Sequence, residues 1–260
     1  MSRGRIVRGD AWAAHLQDLL ARSPGDVSDW MMRHTRLLKR DRDSQVGLLL
    51  LQQKLCCLKF YAFKSRLQRW RYHWGSGRAI HAFDIGRQLV AAGLAGPRPL
   101  ACLRYDAGML LLSEGIPDAN SLQSLWFNSA EDSFPAHLLT GAGTMLASWH
   151  MAGYAHGDCK WSNVLCAGGQ VVLIDLDAAR AAPPGAPGQS RDLARFTLNA
   201  EEVGLGADAY AVFLDSYCGV LGTDRQETQR RMLPVLEKLR TRHLARYGKR
   251  GQPLVPRLPP

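Results

Sequence analysis

Residues 46–63, VGLLLLQQKLCCLKFYAF, constrain the fold more than any other stretch. They are mostly apolar, their unbroken apolar runs, such as GLLLL at 47–51, are far too short to span a membrane, and they are preceded by the polar turn-former DRDSQ. With HTRLLKR before that turn, the texture predicts a hairpin and a following strand, with Lys59 inside the last apolar run. Ile80, Phe83, Arg87 and Val90 then keep a helical period that closes at Gly93, and LACLRY and GMLLLSE read as two more strands after GPRP. Ahead of all this, Trp12, Leu16, Leu19 and Leu20 predict a short leading helix stopped by Pro24-Gly25.

The second half has a different texture. GIPDANSL is a polar hinge; beyond it Leu138, Leu139, Met145, Leu146 and Trp149 form a helical stripe whose first turn accommodates Pro135. Strands near 163–166 and 170–176 flank Gly168-Gly169, a hairpin signal, and after the loop AARAAPPGAPGQS the chain reads as mostly helical. The expectation is an α+β, two-lobed chain: a leading helical segment at 1–30, a small β-rich lobe at 31–115 and a larger helical lobe at 116–260.

A chain of 260 residues with 46% hydrophobic content can bury such a core. Its formal charge of +10 points to anionic partners: nucleic acid, an acidic membrane face or a phosphorylated substrate. The N-terminal residues carry arginines without a sustained apolar core, which argues against a secretory signal and for a cytoplasmic protein. Six cysteines without a C-x-x-C pair or matching histidine spacing argue against a zinc site; they read as buried thiols, Cys159 included.

The chemistry concentrates in YAHGDCKWSNVLCAGGQVVLIDLDAAR, residues 154–180. Asp158 and Asn163 stand five apart and Asp175 twelve further on. Phosphoryl transfer from ATP needs such a set: a carboxylate facing the acceptor hydroxyl, and an amide and a second carboxylate holding Mg²⁺ on the phosphates.

HGDCKWSN followed by LIDLD resembles the H-x-D-x-x-x-x-N catalytic loop and metal-binding aspartate of the kinase-like fold. Together with GLAGPRPLACL, LLLSEGIPDANSL and SRDLARF, it is similar to the bacterial lipopolysaccharide core kinase family, which phosphorylates Kdo or heptose. The resemblance implies ATP and Mg²⁺, with Asp158 as catalytic base, Lys160 steadying the transferred phosphate, and Asn163 and Asp175 as metal ligands. Asp177 becomes an assistant on the same strand face as Asp175, and His156 a packing residue. It also implies Lys59 on the ATP phosphates, Asp84 in place of the usual helix glutamate as its partner, and backbone groups of Ser113, Glu114 and Gly115 at adenine. KRDRDSQVG has one glycine where protein kinases carry three, so phosphate cradling falls to backbone amides and Ser44. Asp192 is either a brace of the catalytic loop or a helix N-terminal acid. Gly157 stands where protein kinases carry arginine and no A-P-E platform follows, so a protein acceptor is not expected.

The resemblance implies a lipopolysaccharide core or lipid A precursor as substrate and work at the cytoplasmic face of the inner membrane. KSRLQRWRYHWGSGR and RRMLPVLEKLRTRHLARYGKR would either draw the protein to that anionic surface or serve as solvated faces. Two rivals remain: a phosphotransferase of the aminoglycoside or choline type, which the scarcity of acids disfavours, and a non-catalytic pseudokinase. No nucleic-acid recognition motif accompanies the arginines.

Overall fold

The computed structural model describes residues 4–23, 25–65, 77–129, 134–248 and 251–256. The chain divides into two compact units, Met1–Ala91 with Gly96–Pro117 and Ala92–Ala95 with Asp118–Pro260. Nearly all of KSRLQRWRYHWGSGR lies outside the described residues.

The first unit is built on six antiparallel strands, β1 (Arg5–Arg8), β2 (Arg36–Arg40), β3 (Ser44–Leu51), β4 (Lys54–Ala62), β5 (Pro99–Arg104) and β6 (Gly108–Glu114), in the order β1-β5-β6-β4-β3-β2. The expected hairpin and following strand are β2, β3 and β4. Gln52 and Gln53 join β3 to β4 with φ of 50° and 61°, the left-handed pair that matches strand twist although neither is glycine.

Among the described residues three helices cover this sheet: α1 (Asp10–Ala21), α2 (Val27–His34) and α3 (Arg78–Ala91). Leu16, Leu20, Trp30 and Met31 of α1 and α2 pack on Leu49, Leu58, Phe60 and Leu110. On α3, Ala79, Ile80 and Phe83 meet Tyr61, Cys102 and Met109. Full burial of each large apolar side chain contributes about 1.5–3 kcal/mol, so Leu58→Ala, at a fully buried site, costs about 2–5 kcal/mol.

Two elements escape the sequence reading. α2 begins where Asp26 accepts the N–H of Asp29 at 2.8 Å and ends on Arg33 and His34, so the strand texture starts two residues later than expected. β1 is four residues long and exists through its pairing with β5, a long-range contact without a local signal.

The second unit is mainly helical: α4 (Leu122–Asn128), α5 (Ala136–Met151), α6 (Pro187–Glu202), α7 (Ala207–Leu221) and α8 (Arg225–Tyr247). The expected β-rich first part and helical second part are thus both present. On α5 a Cβ at Gly143 would lie 2.4 Å from the Phe213 carbonyl oxygen, so α5 and α7 meet backbone to backbone. Short strands β7 (Asn120–Ser121), β9 (Val164–Ala167) and β10 (Gln170–Leu173) make one small sheet, and β8 (Tyr154–Ala155) pairs with β11 (Arg180–Ala181). Gly168 and Gly169, both left-handed, form the predicted turn between β9 and β10.

Candidate active site

Pairing of β8 with β11 brings the two ends of the 156–178 segment together, and α6 holds it from below. Asp192 on α6 is fully buried and accepts the backbone N–H of His156 at 2.5 Å and of Gly157 at 2.7 Å. It is therefore a brace of the loop. Two charge-assisted bonds to backbone fix the loop more firmly than neutral ones. Beside it, His150 Nδ1 lies 2.7 Å from the Tyr217 hydroxyl, whose pKa burial pushes up.

Gly157 has φ of +80°, and a Cβ there would stand 2.6 Å from the Ala178 carbonyl oxygen. The position tolerates no side chain, which explains the missing arginine. His156 Nε2 is 2.8 Å from the Ile174 carbonyl while its Nδ1 accepts the Asp158 N–H at 3.3 Å, a pattern that selects the Nε2–H tautomer. The Ile174 N–H in turn donates to the Asn163 carbonyl at 3.0 Å. Ile174 thus ties the residue before Asp175 to both His156 and Asn163.

Asp158, Lys160 and Asn163 come together. The Asn163 side-chain nitrogen donates to the Asp158 carbonyl at 3.0 Å and to its Oδ2 at 3.3 Å. With the nitrogen committed, the amide oxygen is the group left for a hard cation. Lys160 Nζ is 3.0 Å from Asp158 Oδ2, and Arg195 Nη1 is 2.9 Å from Oδ1. Two cations thus flank one carboxylate at this corner.

Asp175 departs from its expected setting. Strand β10 ends at Leu173, Asp175 adopts φ of 67°, and Leu176–Ala178 is a single 3₁₀ turn. The strand alternation that placed Asp175 and Asp177 on one face does not apply. Cys159 is fully buried; desolvation, then the Asp192 and Asp158 carboxylates, push its thiol well above the ordinary range, so it is an inert filler at neutral pH.

In the first unit Lys59 lies on β4 between Val46 and Leu111, its Nζ 4.8 Å from the centre of the Tyr61 ring. Asp84 on α3 does not serve as its partner. Arg8 of β1 takes both carboxylate oxygens, Nε to Oδ1 at 3.0 Å and Nη2 to Oδ2 at 3.2 Å, because the guanidinium fork matches a carboxylate where an ammonium cannot. Ser113 and Glu114 end β6, with Gly115 directly after. The Glu114 N–H donates to the Arg98 carbonyl at 2.9 Å and the Gly115 N–H to the Leu55 carbonyl at 2.8 Å, while the Glu114 carboxylate pairs with Arg98 at 2.7 Å. Of the backbone groups of Ser113, Glu114 and Gly115 expected at adenine, the Glu114 and Gly115 N–H donors are thus already engaged.

Residues 55–217 match the model of the lipopolysaccharide kinase (Kdo/WaaP) family. The chain belongs to this family. A 3-deoxy-D-manno-octulosonic acid kinase of Xylella fastidiosa is 29% identical over 140 residues, 50% of this chain and 54% of that protein. One of Vibrio parahaemolyticus is 32% identical over 112 residues, 41% of this chain and 46% of its own length. The chain spans about half the length of these relatives. Among solved structures, WaaP in complex with acyl carrier protein superposes over 94% of this chain and 99% of that one, with a TM-score of 0.61 at 18% identity. That likeness establishes a shared fold.

Sequence reasoning missed two residues at these sites, Arg195 and Arg8. Arg195 carried a faint signal: it follows Asp192 by three positions on α6, so the two share a helix face. Arg8 carried none, since its reach to Asp84 depends on β1 pairing with β5.

Proposed function

We propose that this chain transfers the γ-phosphate of ATP to a sugar hydroxyl of the lipopolysaccharide inner core. The observation that carries the reading is Asp158 held beside Asn163, Lys160 and Arg195 on a loop braced by buried Asp192. The acceptor hydroxyl would give its proton to Asp158 as its oxygen bonds to phosphorus and the bond to the ADP oxygen breaks. For this, Asp158 must exchange one cation for the acceptor; Lys160 is the natural one to move, since its ammonium then offsets charge on the phosphoryl group. Asn163 and Asp175 would hold Mg²⁺, which when bound neutralises charge on the phosphates; the amide oxygen and carboxylate are the hard donors it takes. Lys59 would meet the ATP phosphates, and carbonyls near Ser113 to Gly115 the adenine amino group.

We infer Kdo rather than heptose as the acceptor. Its carboxylate suits a corner where two cations surround one carboxylate, and the relatives matched here are kinases of that sugar acid. The same cations disfavour a cationic aminoglycoside or choline. No helix among the described residues is long and apolar enough to cross a membrane, so work at the cytoplasmic face of the inner membrane would be peripheral. The test is a mass spectrum of core oligosaccharide from cells making wild type, Asp158→Ala or no protein. Phosphate on Kdo with wild type alone is expected; three identical spectra would remove this substrate and leave a small-molecule kinase or pseudokinase.

A further inference from the structure

Gln45 stands on the wrong kind of surface. Along β3 it shares the inward-facing row with Leu49 and Leu51, which pack into the α1–α2 core. It is only 3% exposed, and neither its amide oxygen nor its amide nitrogen has a hydrogen-bond partner. Leaving both ends of a buried amide unpaired is costly, and such a group calls for an explanation.

The surroundings supply one. Strand register sets Arg40, Gln45 and Phe60 side by side across β2, β3 and β4. Side chains alternate along a strand, so this row lies on the sheet face opposite Lys59. A cavity of about 360 Å³ opens there, lined by Ser28, Arg40, Asp41, Arg42, Ser44, Gln45, Phe60 and Ala62. The acids of the adjoining turn are already engaged, Asp41 with Lys39 at 2.8 Å and Asp43 with Lys64 at 2.5 Å. Among the described residues Arg40 donates to the Met32 sulfur at 2.9 Å, a weak acceptor, neither Arg40 nor Arg42 forms a salt bridge, and Arg42 lies in the field of the Asp43 carboxylate, which is itself held by Lys64. Two guanidinium groups, two serines, the Lys39-paired carboxylate of Asp41 and a buried amide with a spare donor and acceptor line one space.

We propose that this cavity binds a phosphomonoester, with Arg40 and Arg42 on the phosphate and the Gln45 amide on the polar group that carries it. Arginine forks suit phosphate oxygens, and the amide pairs with a hydroxyl or carbonyl on the same molecule. The ligand is either a free phosphorylated metabolite or the phosphate headgroup of a lipid. Exposed Met32, Leu37 and Leu38 beside the arginines would meet the acyl region in the second case.

Thermal unfolding and calorimetric titration of the full chain with glycerol 3-phosphate test the site, alongside flotation on phosphatidylcholine vesicles with and without phosphatidic acid. Glycerol 3-phosphate raises the wild-type Tm, and its Kd weakens at least about tenfold in Arg40→Ala/Arg42→Ala and in Gln45→Leu. Gln45→Met serves if the leucine variant does not fold. Binding of the soluble compound without flotation assigns a free metabolite; flotation that needs phosphatidic acid and both arginines assigns a lipid headgroup. Absence of both effects in wild type, or effects equally large in the variants, overturns the proposal.

Discussion

The catalytic loop and strand β3 both place polar side chains out of water, with opposite outcomes. In the loop, buried Asp192 and Asn163 and the ring of His156 each have partners inside the protein. On β3, Gln45 has none. A satisfied network rigidifies: the loop holds Asp158 in place before any ligand arrives, which would preorganise it for the proposed phosphoryl transfer. An unsatisfied amide instead stores a cost that a ligand can remove, so it marks a place for binding rather than for catalysis.

Four variants sharpen or break this contrast. Asp158→Ala should lower kcat by about 10³-fold with little change in ATP affinity, by steady-state kinetics with a Kdo-bearing acceptor; parallel loss of nucleotide binding would mean that Asp158 belongs to the nucleotide site. Asp192→Ala strands two backbone N–H groups and should cost about 3 kcal/mol in urea unfolding, with activity falling alongside. An unchanged midpoint would show that the brace is dispensable. Arg195→Ala should reduce kcat/KM for the acceptor about tenfold through a raised acceptor KM, with Arg195→Lys recovering part of it; an equal loss for ATP would contradict an acceptor-side role. The smallest effect runs the other way: Gln45→Leu should stabilise the ligand-free protein by about 1 kcal/mol. Destabilisation by both Gln45→Leu and Gln45→Met would mean that the amide is satisfied after all.

Much of the fold was legible because its signals are local. Alternating and continuous apolar runs marked β2 to β6, the 80–90 period marked α3, and Gly168-Gly169 marked the β9–β10 turn. Apart from α2, a short helix capped locally by Asp26, what escaped was non-local or depended on a backbone twist. β1 exists only by pairing with β5, and β10 stops at Leu173, ahead of the left-handed Asp175, where composition alone extends it to residue 176. The loop residues Asp158, Lys160 and Asn163 were readable together, since chemistry requires them at close spacing. The Arg8–Asp84 pair, 76 residues apart, was not.

By itself the amino-acid sequence determined most of the longer elements, the surplus of positive charge and the Asp158–Asn163–Asp175 spacing, since periodicity, composition and motif spacing are properties of neighbours along the chain. Only the tertiary structure decided which cation meets which carboxylate, why Gly157 admits no side chain, and that Gln45 lies buried without a partner. Those outcomes depend on what distant segments bring within a few ångströms, and on whether each buried polar group finds its complement there.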